Sequence, residues 1–502
     1  MKHTLQENTL FQFSEFIADN FALHFPRERW NDLERTISAA AKEFGYTEVE
    51  NFIQRIMSSP LTREHIEILT THLTINETYF WREPGTFEAL EQTILPELIR
   101  SRQEEKRIRI WSAGCSTGEE PYSIAMAIHR VIPDMKDWNI TILATDISTR
   151  MMHRAAAGIY GQWSFRNSPK WLKEQYFSRK ENNKYEIVPG IKRMVKFEYL
   201  NLADDVFPSP LNDTNAMDII FCRNVLMYFT EKRCRQVVRG LFNSLIQNGY
   251  LAVSASELSL QSLSEFAVVN FPGMVIYQKT SQKLKNQQPI PRVEAVQKPM
   301  VFTWPLSPEN ILEEIEPHIR KIENEILPEA EIPVQIQSTY DEALVSYSLG
   351  NYAEVIAKLE MNRLQKDDQT SEERILVIRA YANQGNLTGA LQSCEEAIAA
   401  DKVNPRLHYL YATILQENNQ LDEAVASLKR AIYLDADFVL AYYGLGNIYR
   451  RLGNVQSANK CFENVLTILK TCSKEEILPE SDGLTVGRFQ EIMIASRQAR
   501  AV

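Results

Sequence analysis

The chain reads as three structural units in series: a small α-helical N-domain, a Rossmann-like α/β domain with an inserted β-subdomain, and an α-helical solenoid. Three observations predict this. Apolar residues recur at helical spacing from Thr9 to Leu73, short apolar strands alternate with helices from Arg107 to Lys279, and a period of 34–35 residues runs from about Ser338 to Thr471. Its 502 residues, 44% hydrophobic and 24% charged, suit several globular cores and exclude a disordered or collagen-like polymer.

In chain order, residues 1–75 form the helical N-domain. Phe13, Phe16 and Ile17, then Leu33, Ile37, Ala40 and Ala41, then Phe52, Ile53 and Ile56 mark successive helix faces, divided by turn signals at Pro26, Gly45 and Ser58-Ser59-Pro60. Residues 76–280 form the α/β domain, with candidate strands Ile108-Trp111, Ile140-Ala144, Val195-Tyr199, Asp218-Cys222, Tyr250-Ser254 and Met274-Lys279. Between the second and third of these, a hairpin pattern built on Lys184-Tyr-Glu-Ile-Val, the turn dipeptide Pro189-Gly190 and Ile191-Lys-Arg-Met-Val sets the β-subdomain at about 184–198. Residues 281–335 hold eight of the 21 prolines and no glycine, the composition of an extended linker with at most a helical turn or two around Ile311 to Leu327. Such a linker is expected to hold the two parts apart rather than dock them.

Residues 336–471 repeat themselves, and 472–502 form a tail. Gly350-Asn-Tyr-Ala, Gly385-Asn-Leu-Thr, Asn419-Gln-Leu-Asp and Gly453-Asn-Val-Gln are spaced by 35, 34 and 34 residues, with small residues returning at Ala397 and Ala431 and tyrosines at Tyr381, Tyr411 and Tyr449. This pattern resembles about four tetratricopeptide repeats, helix-turn-helix units that stack into a concave superhelix and bind a protein or peptide without doing chemistry.

Charge and cysteine usage narrow the function. Lys+Arg 55 against Asp+Glu 65 leaves a net charge of −10, so the chain is no nucleic-acid-binding polycation. Six cysteines without a C-x-x-C pair predict neither a disulfide framework nor a metal site. The opening MKHTLQENTL has no apolar signal core and no stretch approaches about 18 apolar residues, so a cytoplasmic protein with no membrane insertion is expected.

The chemistry starts at Arg107. Strand Arg107-Ile-Arg-Ile-Trp111 runs into the small-residue loop Ser-Ala-Gly-Cys-Ser-Thr-Gly118 and a helix opened by Glu119, Glu120 and Pro121, which makes a nucleotide-shaped hole. The loop lacks both the G-x-G-x-x-G spacing and the Gly-Lys-Ser/Thr ending of a phosphate cradle, and carboxylates at the helix start repel a pyrophosphate. Asp146, ending the next strand, can accept hydrogen bonds from ribose hydroxyls. An adenosine that carries a cation and no phosphates suits such a site.

The segments TINETYFWR (Thr74 to Arg82), RIWSAGCSTGEEPYSIAM (Arg109 to Met126), ATDIS (Ala144 to Ser148), GIYGQW (Gly158 to Trp163), Asn201-Leu202 and DIIFCRNVLMYF (Asp218 to Phe229) follow one another as in the chemotaxis-receptor methyltransferase family. The chain closely resembles that family from roughly Phe11 to Lys279. The resemblance implies an S-adenosyl-L-methionine-dependent methyltransferase that esterifies glutamate side chains on the cytoplasmic coiled coil of methyl-accepting chemoreceptors, releasing S-adenosyl-L-homocysteine. It implies cofactor contacts at Asn76, Thr78, Arg82, Glu119, Asp146, Asn201, Leu202, Cys222 and Arg223, and transfer-site roles for Arg82 and Tyr228. A small β-subdomain that in some members grips a receptor-tail peptide is also implied.

Asp146 then holds the ribose, Glu119 faces the positive end of the cofactor, and Asn201 with Leu202 frames the adenine. Each residue also has a plainer role: a helix cap for Asp146, helix-dipole stabilisation for Glu119, a small apolar strand end for Cys222, a surface charge for Arg82 and a core ring for Tyr228. Residues 1–70 hold seven Lys/Arg against eleven Asp/Glu, so docking to an acidic receptor helix falls to local arginines such as Arg27, Arg29 and Arg35. Two other readings share the core: a non-catalytic cofactor-binding scaffold with repeats, and a small-molecule O-methyltransferase. The second explains neither the helical N-domain nor TINETYFWR.

Overall fold

The computed structural model describes residues 5–21, 23–59, 61, 63–74, 77–132, 135–258, 261–271, 274–280, 338–365, 369–481 and 483–499. Asn76 and the linker expected over 281–335 lie outside these. Four helices, Glu7–Phe21, Trp30–Glu43, Val49–Met57 and Arg63–Leu73, open the chain. They bury the faces marked by the apolar spacing: Phe13, Ile17, Leu33, Ile37, Phe52 and Ile53 are all shut off from solvent in one cluster. This bundle reaches the next unit through Glu67, which accepts from Thr149, and through Glu43, 3.1 Å from Arg150.

The main sheet contains β1 (Arg107–Ala113), β2 (Asn139–Asp146), β6 (Val195–Tyr199), β7 (Met217–Phe221), β8 (Leu245–Ala252), β9 (Ala267–Phe271) and β10 (Met274–Gln278), in the order β6-β2-β1-β7-β8-β10-β9. Neighbours from β6 to β8 are parallel, and β10 runs antiparallel to both β8 and β9. β1, β2, β7 and β8 were legible as parallel-type apolar runs because both their faces are largely covered, whereas β6, at the sheet edge, is only partly buried. The edge strand β9 escaped notice. Going outward from β1 the chain order rises on both sides, to β2 and β6 on one and to β7 and β8 on the other. A crevice therefore opens beyond the carboxyl ends of β1 and β7, the topological switch point where α/β sheets take ligands.

The inserted small sheet differs from the expectation. Its strands are β3 (Ile159–Tyr160), β4 (Phe177–Arg179) and β5 (Tyr185–Ile187), in the order β3-β5-β4 and antiparallel. The hairpin partner of β5 is thus β4, not the segment after Pro189-Gly190. Asn182 and Asn183, both at φ 55°, form the tight turn, which asparagine tolerates better than most residues. Pro189 instead opens the short helix Pro189–Lys192, where its missing N–H costs nothing, and Val195–Tyr199 joins the main sheet.

The repeats follow as helix pairs whose second members open at Tyr352, Leu387, Leu421 and Val455. Gly350, Gly385, Asn419 and Gly453, the residues that set the period, are the left-handed turn positions, with φ 72°, 77°, 61° and 78°. Ala397 and Ala431 are fully buried where helices approach closely. A last helix, Val486–Ala499, inserts Phe489 and Met493 into the repeat core and also packs on β6 and on the helix Thr149–Ala157.

The repeats are docked on the α/β unit, which corrects the expectation that the linker holds the parts apart. Glu417, ending the helix Pro405–Glu417 and only 4% exposed, lies 2.8 Å from Arg107 and 3.5 Å from Arg109, and accepts from the Asn215 amide at 2.8 Å. Burial pushes the Arg107 guanidinium down to about 10, with Arg109 adding to the shift and Glu417 opposing it. At the first repeat, Asn243 donates to the Ser348 carbonyl and Tyr352 to the Asn243 carbonyl. A proline-rich tether limits how the chain travels between two surfaces; it does not decide whether those surfaces match. Glu417→Ala leaves two buried arginines without their carboxylate and should cost about 3–5 kcal/mol of stability. Urea denaturation checks this, and a loss under about 1 kcal/mol would contradict it.

Candidate active site

The crevice has two lobes that share Gly114, Ser116 and Asn224. The first is lined by Asp146, Ile147, Asn201, Leu202 and Tyr228, with Phe21 and Leu23 from the N-terminal bundle closing it. Thr78, Arg82, Glu120 and Arg223 border the second, with Glu77 at its rim.

The loop after β1 is shaped by two glycines. Gly114 stands at φ +83°, and a Cβ there would sit 2.5 Å from a methyl of Val225; at Gly118, φ +90°, it would meet Ala155 at 2.8 Å. Ser116 between them is also left-handed, as are Trp81, Glu83 and Asn224. Four non-glycine residues held in this region on the segments around one crevice mark a built site, where the surrounding structure enforces the strain.

Buried carboxylates do much of that enforcing. Asp146 accepts the backbone N–H of Ser116 on one oxygen and that of Ser148 on the other, both at 2.8 Å. Each oxygen keeps a second lone pair for a ligand donor. The helix cap, the plainer role for Asp146, belongs to Ser148, whose hydroxyl accepts from the Met151 N–H. Glu257, fully buried after β8, accepts the N–H groups of Asn224 and Val225 at 2.9 Å and of Met227 at 3.2 Å, and so fixes the loop after β7. Asp205 accepts the N–H of Asn201 at 2.5 Å and fixes the loop after β6.

The expected site residues divide into three groups. Thr78, Arg82, Asp146, Asn201, Leu202, Arg223 and Tyr228 line the crevice. Glu119 and Cys222 are buried behind it: Glu119 binds the Thr117 hydroxyl at 2.6 Å, and the acid of this pair that lines the second lobe is Glu120. The Cys222 thiol, enclosed and pushed far up by burial, is a packed strand end with no nucleophilic character. Asn76 lies outside the described residues. Arg223 sits 3.1 Å from both Glu120 and Glu83 and donates to the Arg82 carbonyl at 2.8 Å, so it clamps the TINETYFWR segment to the end of β7.

Sequence reasoning passed over Glu257, Asp205, Ser116 and Asn224. For Glu257 a signal was present in Ser254-Ala-Ser-Glu257, a capping box at a strand end. Arg29 was noted only as a docking charge; its guanidinium lies 5.3 Å from the Tyr228 ring, and His24 donates to the Tyr228 carbonyl at 2.6 Å.

This arrangement suits an adenosine with a positive centre. Carboxylates border both lobes, the loop from Gly114 to Gly118 lacks the spacing of a phosphate cradle, and Gly114 lines both lobes. Fold and crevice together define an α/β methyltransferase that uses S-adenosyl-L-methionine. Residues 76–274 match the family model described as CheR methyltransferase, SAM binding domain, and residues 412–453 and 439–468 match two tetratricopeptide-repeat models. The chain is 35% identical over 260 residues to "Chemotaxis protein methyltransferase" of Borreliella burgdorferi, covering 50% of this chain and 89% of that protein. To "Chemotaxis protein methyltransferase 2" of Vibrio cholerae it is 36% identical over 216 residues, 43% of this chain and 74% of that one. Among solved structures, "MamA 41-end from Desulfovibrio magneticus RS-1" is 17% identical over 26% of this chain and 75% of that chain, with a TM-score of 0.25. The chain belongs to the chemotaxis protein methyltransferase family: it is a protein-glutamate O-methyltransferase that acts on chemoreceptors with S-adenosyl-L-methionine as methyl donor. Among the described residues no helix is long and apolar enough to cross a membrane.

Burial raises Asp146 and Glu120 above the usual carboxylate range, the nearby Arg223 partly opposing it for Glu120. A raised acid takes up its proton at a higher pH than an exposed one, so acidification removes the anions that favour a cationic ligand. As the pH is lowered, cofactor affinity should therefore begin to fall before pH ~4, where ordinary carboxylates titrate, is reached. Asp146→Asn should weaken binding at neutral pH by about 1.5–3 kcal/mol and flatten this dependence. Calorimetric titration with S-adenosylmethionine across pH measures both; wild-type affinity in the variant would return Asp146 to a purely structural role.

Proposed function

We propose that Asp146 takes the ribose hydroxyls, Asn201 and Leu202 frame the adenine, and Thr78, Arg82, Glu120 and Arg223 surround the methionine end. Arg82 and Tyr228 then face the transfer point. The observation that carries this reading is the division of the crevice: the strand-end acid and the Asn201-Leu202 loop border one lobe, Glu77, Thr78, Tyr79 and Arg82 of the TINETYFWR segment the other, and Gly114 joins them. Bound S-adenosyl-L-methionine supplies a methyl group already activated on a sulfonium.

The chain's own task follows from the substrate's chemistry. A glutamate side chain with a pKa near ~4.3 is ionised at neutral pH, so no base is needed and no proton moves. The carboxylate oxygen forms the new O–CH3 bond as the S–CH3 bond breaks, its electron pair staying on sulfur. What remains is alignment and exclusion of water. Burial raises the Tyr228 phenol, with Arg29 and Arg82 partly offsetting it, so the hydroxyl stays protonated and can donate to the incoming carboxylate. Arg82, held to the Glu77 carbonyl at 2.7 Å, adds a fixed positive charge nearby. Arg29, from the N-terminal bundle, stands on the same side and extends that positive field toward the receptor.

The same proposal extends to the partners. The substrate surface is the cytoplasmic coiled coil of the receptor, which sets the place of action in the cytoplasm, and the repeats recruit a protein or peptide. Supporting the second role, the repeat face turned toward β2 and β6 borders a cavity of about 520 Å³ with Arg193, Lys196, Arg450 and Arg451 around it, separate from the crevice.

Arg82→Ala and Tyr228→Phe should each lower the methylation rate about 10- to 1000-fold, the range for removing one donor from a charge-stabilising site, with melting temperature nearly unchanged. Methyl-ester formation on receptor-containing membranes checks this. Wild-type rates in both purified variants would remove these two residues from the transfer site.

A further inference from the structure

The C-terminal helix Val486–Ala499 lies beyond the repeats, yet it returns to the α/β unit and packs on β6 and on the helix Thr149–Ala157. Its Arg488 enters the loop that follows β6. The guanidinium Nε donates to Asp205 Oδ1 at 2.7 Å, one Nη donates to the Tyr199 hydroxyl at 3.3 Å, and the other holds Glu491 at 2.7 Å. Asp205 is almost wholly enclosed, its side chain 3% exposed.

The second oxygen of Asp205 is the one that accepts the Asn201 N–H at 2.5 Å, and the Asp205 N–H returns a bond to the Asn201 carbonyl at 2.9 Å. Around them, Asp204 accepts the Asn201 side-chain amide at 2.6 Å and the Leu200 N–H reaches the Asp146 carbonyl at 3.2 Å. Leu200, Asn201 and Leu202 line the crevice. A continuous path thus runs from the C-terminal helix through one buried carboxylate to the crevice wall. Without Arg488, Asp205 becomes a buried anion lacking its cation, and the cheapest relief is for the 200–205 loop to open toward water.

We propose that Arg488 is a positioning residue for the adenine end of the cofactor site, so that the C-terminal helix is part of what holds S-adenosylmethionine. This rests on the reading that Asn201 and Leu202 frame the adenine. Arg488 stands on a helix that follows the repeats, outside residues 76–274 that match the methyltransferase family model. It makes cofactor affinity depend on a docked repeat unit.

The test uses the full chain with S-adenosylhomocysteine as the calorimetric probe, and methylation kinetics with receptor-containing membranes. Arg488→Ala should raise the dissociation constant and the cofactor KM by roughly 5- to 100-fold, with kcat at saturating cofactor within about twofold and receptor KM unchanged. Arg488→Lys should recover part of the loss. A general loosening of the fold would instead lower kcat and leave Lys no better than Ala. Should Arg488→Ala fail to fold, Arg488→Gln, which keeps the stem and an amide donor, carries the same comparison. Asn201→Ala separates the two layers: if it weakens binding and no Arg488 variant does, the positioning role is wrong, whereas if Asn201→Ala itself binds normally, the adenine assignment fails and takes the positioning role with it.

Discussion

Three of the loops that line the cofactor crevice are each held by a buried carboxylate that accepts backbone N–H groups. Asp146 grips the loop after β1, Glu257 the loop after β7, and Asp205 the loop after β6. Loops at strand ends carry unpaired N–H groups, and water would normally satisfy them. A charge-assisted acceptor inside the protein satisfies them without water and fixes their geometry at once. The left-handed backbone at Ser116 and Asn224 is affordable only under such constraint.

These anchors also set the electrostatics. Asp146 holds Ser116 with one lone pair of an oxygen and keeps the other for ligand, so one side chain both builds and lines the site. Arg223 does the corresponding work on the other lobe, where its contacts to Glu83, Glu120 and the Arg82 carbonyl place the TINETYFWR segment against β7. In the proposed arrangement Arg29 and Arg82 supply the positive charge that suits a carboxylate substrate, and Asp146 and Glu120 the negative charge that suits a sulfonium. Opposite charges on the two reactants are thereby drawn to one place without any acid-base step.

Much of this was legible in the sequence, for local reasons. The left-handed turn residues Gly350, Gly385, Asn419 and Gly453 repeat because each hairpin needs the same backbone conformation, and the period alone reveals the solenoid. Gly114 and Gly118 were legible as a loop because nothing larger fits beside Val225 and Ala155. The dock was not legible. Arg107 and Arg109 alternate with Ile108 and Ile110 like the polar face of any strand, and their carboxylate partner stands 310 residues from Arg107. Glu119 and Glu120 are adjacent acids that look equivalent as residues, and only the direction of the helix decides that Glu120 faces the crevice while Glu119 turns to Thr117. The β4–β5 pairing was missed because Pro189-Gly190 reads as a turn, although proline serves equally well in a first helical turn.

Glu257 tests the account most directly, because it touches the loop after β7 and none of the residues assigned to hold the cofactor. Glu257→Gln keeps its volume and one acceptor oxygen but removes the charge and one of the two oxygens that between them accept four backbone N–H groups and the Ser254 hydroxyl. Calorimetric titration of the full-length variant with S-adenosylhomocysteine, with circular dichroism to show that the fold persists, should give a dissociation constant raised by roughly 10- to 100-fold. A folded Glu257→Gln protein that binds with wild-type affinity would contradict the claim that buried carboxylates set the geometry of the crevice.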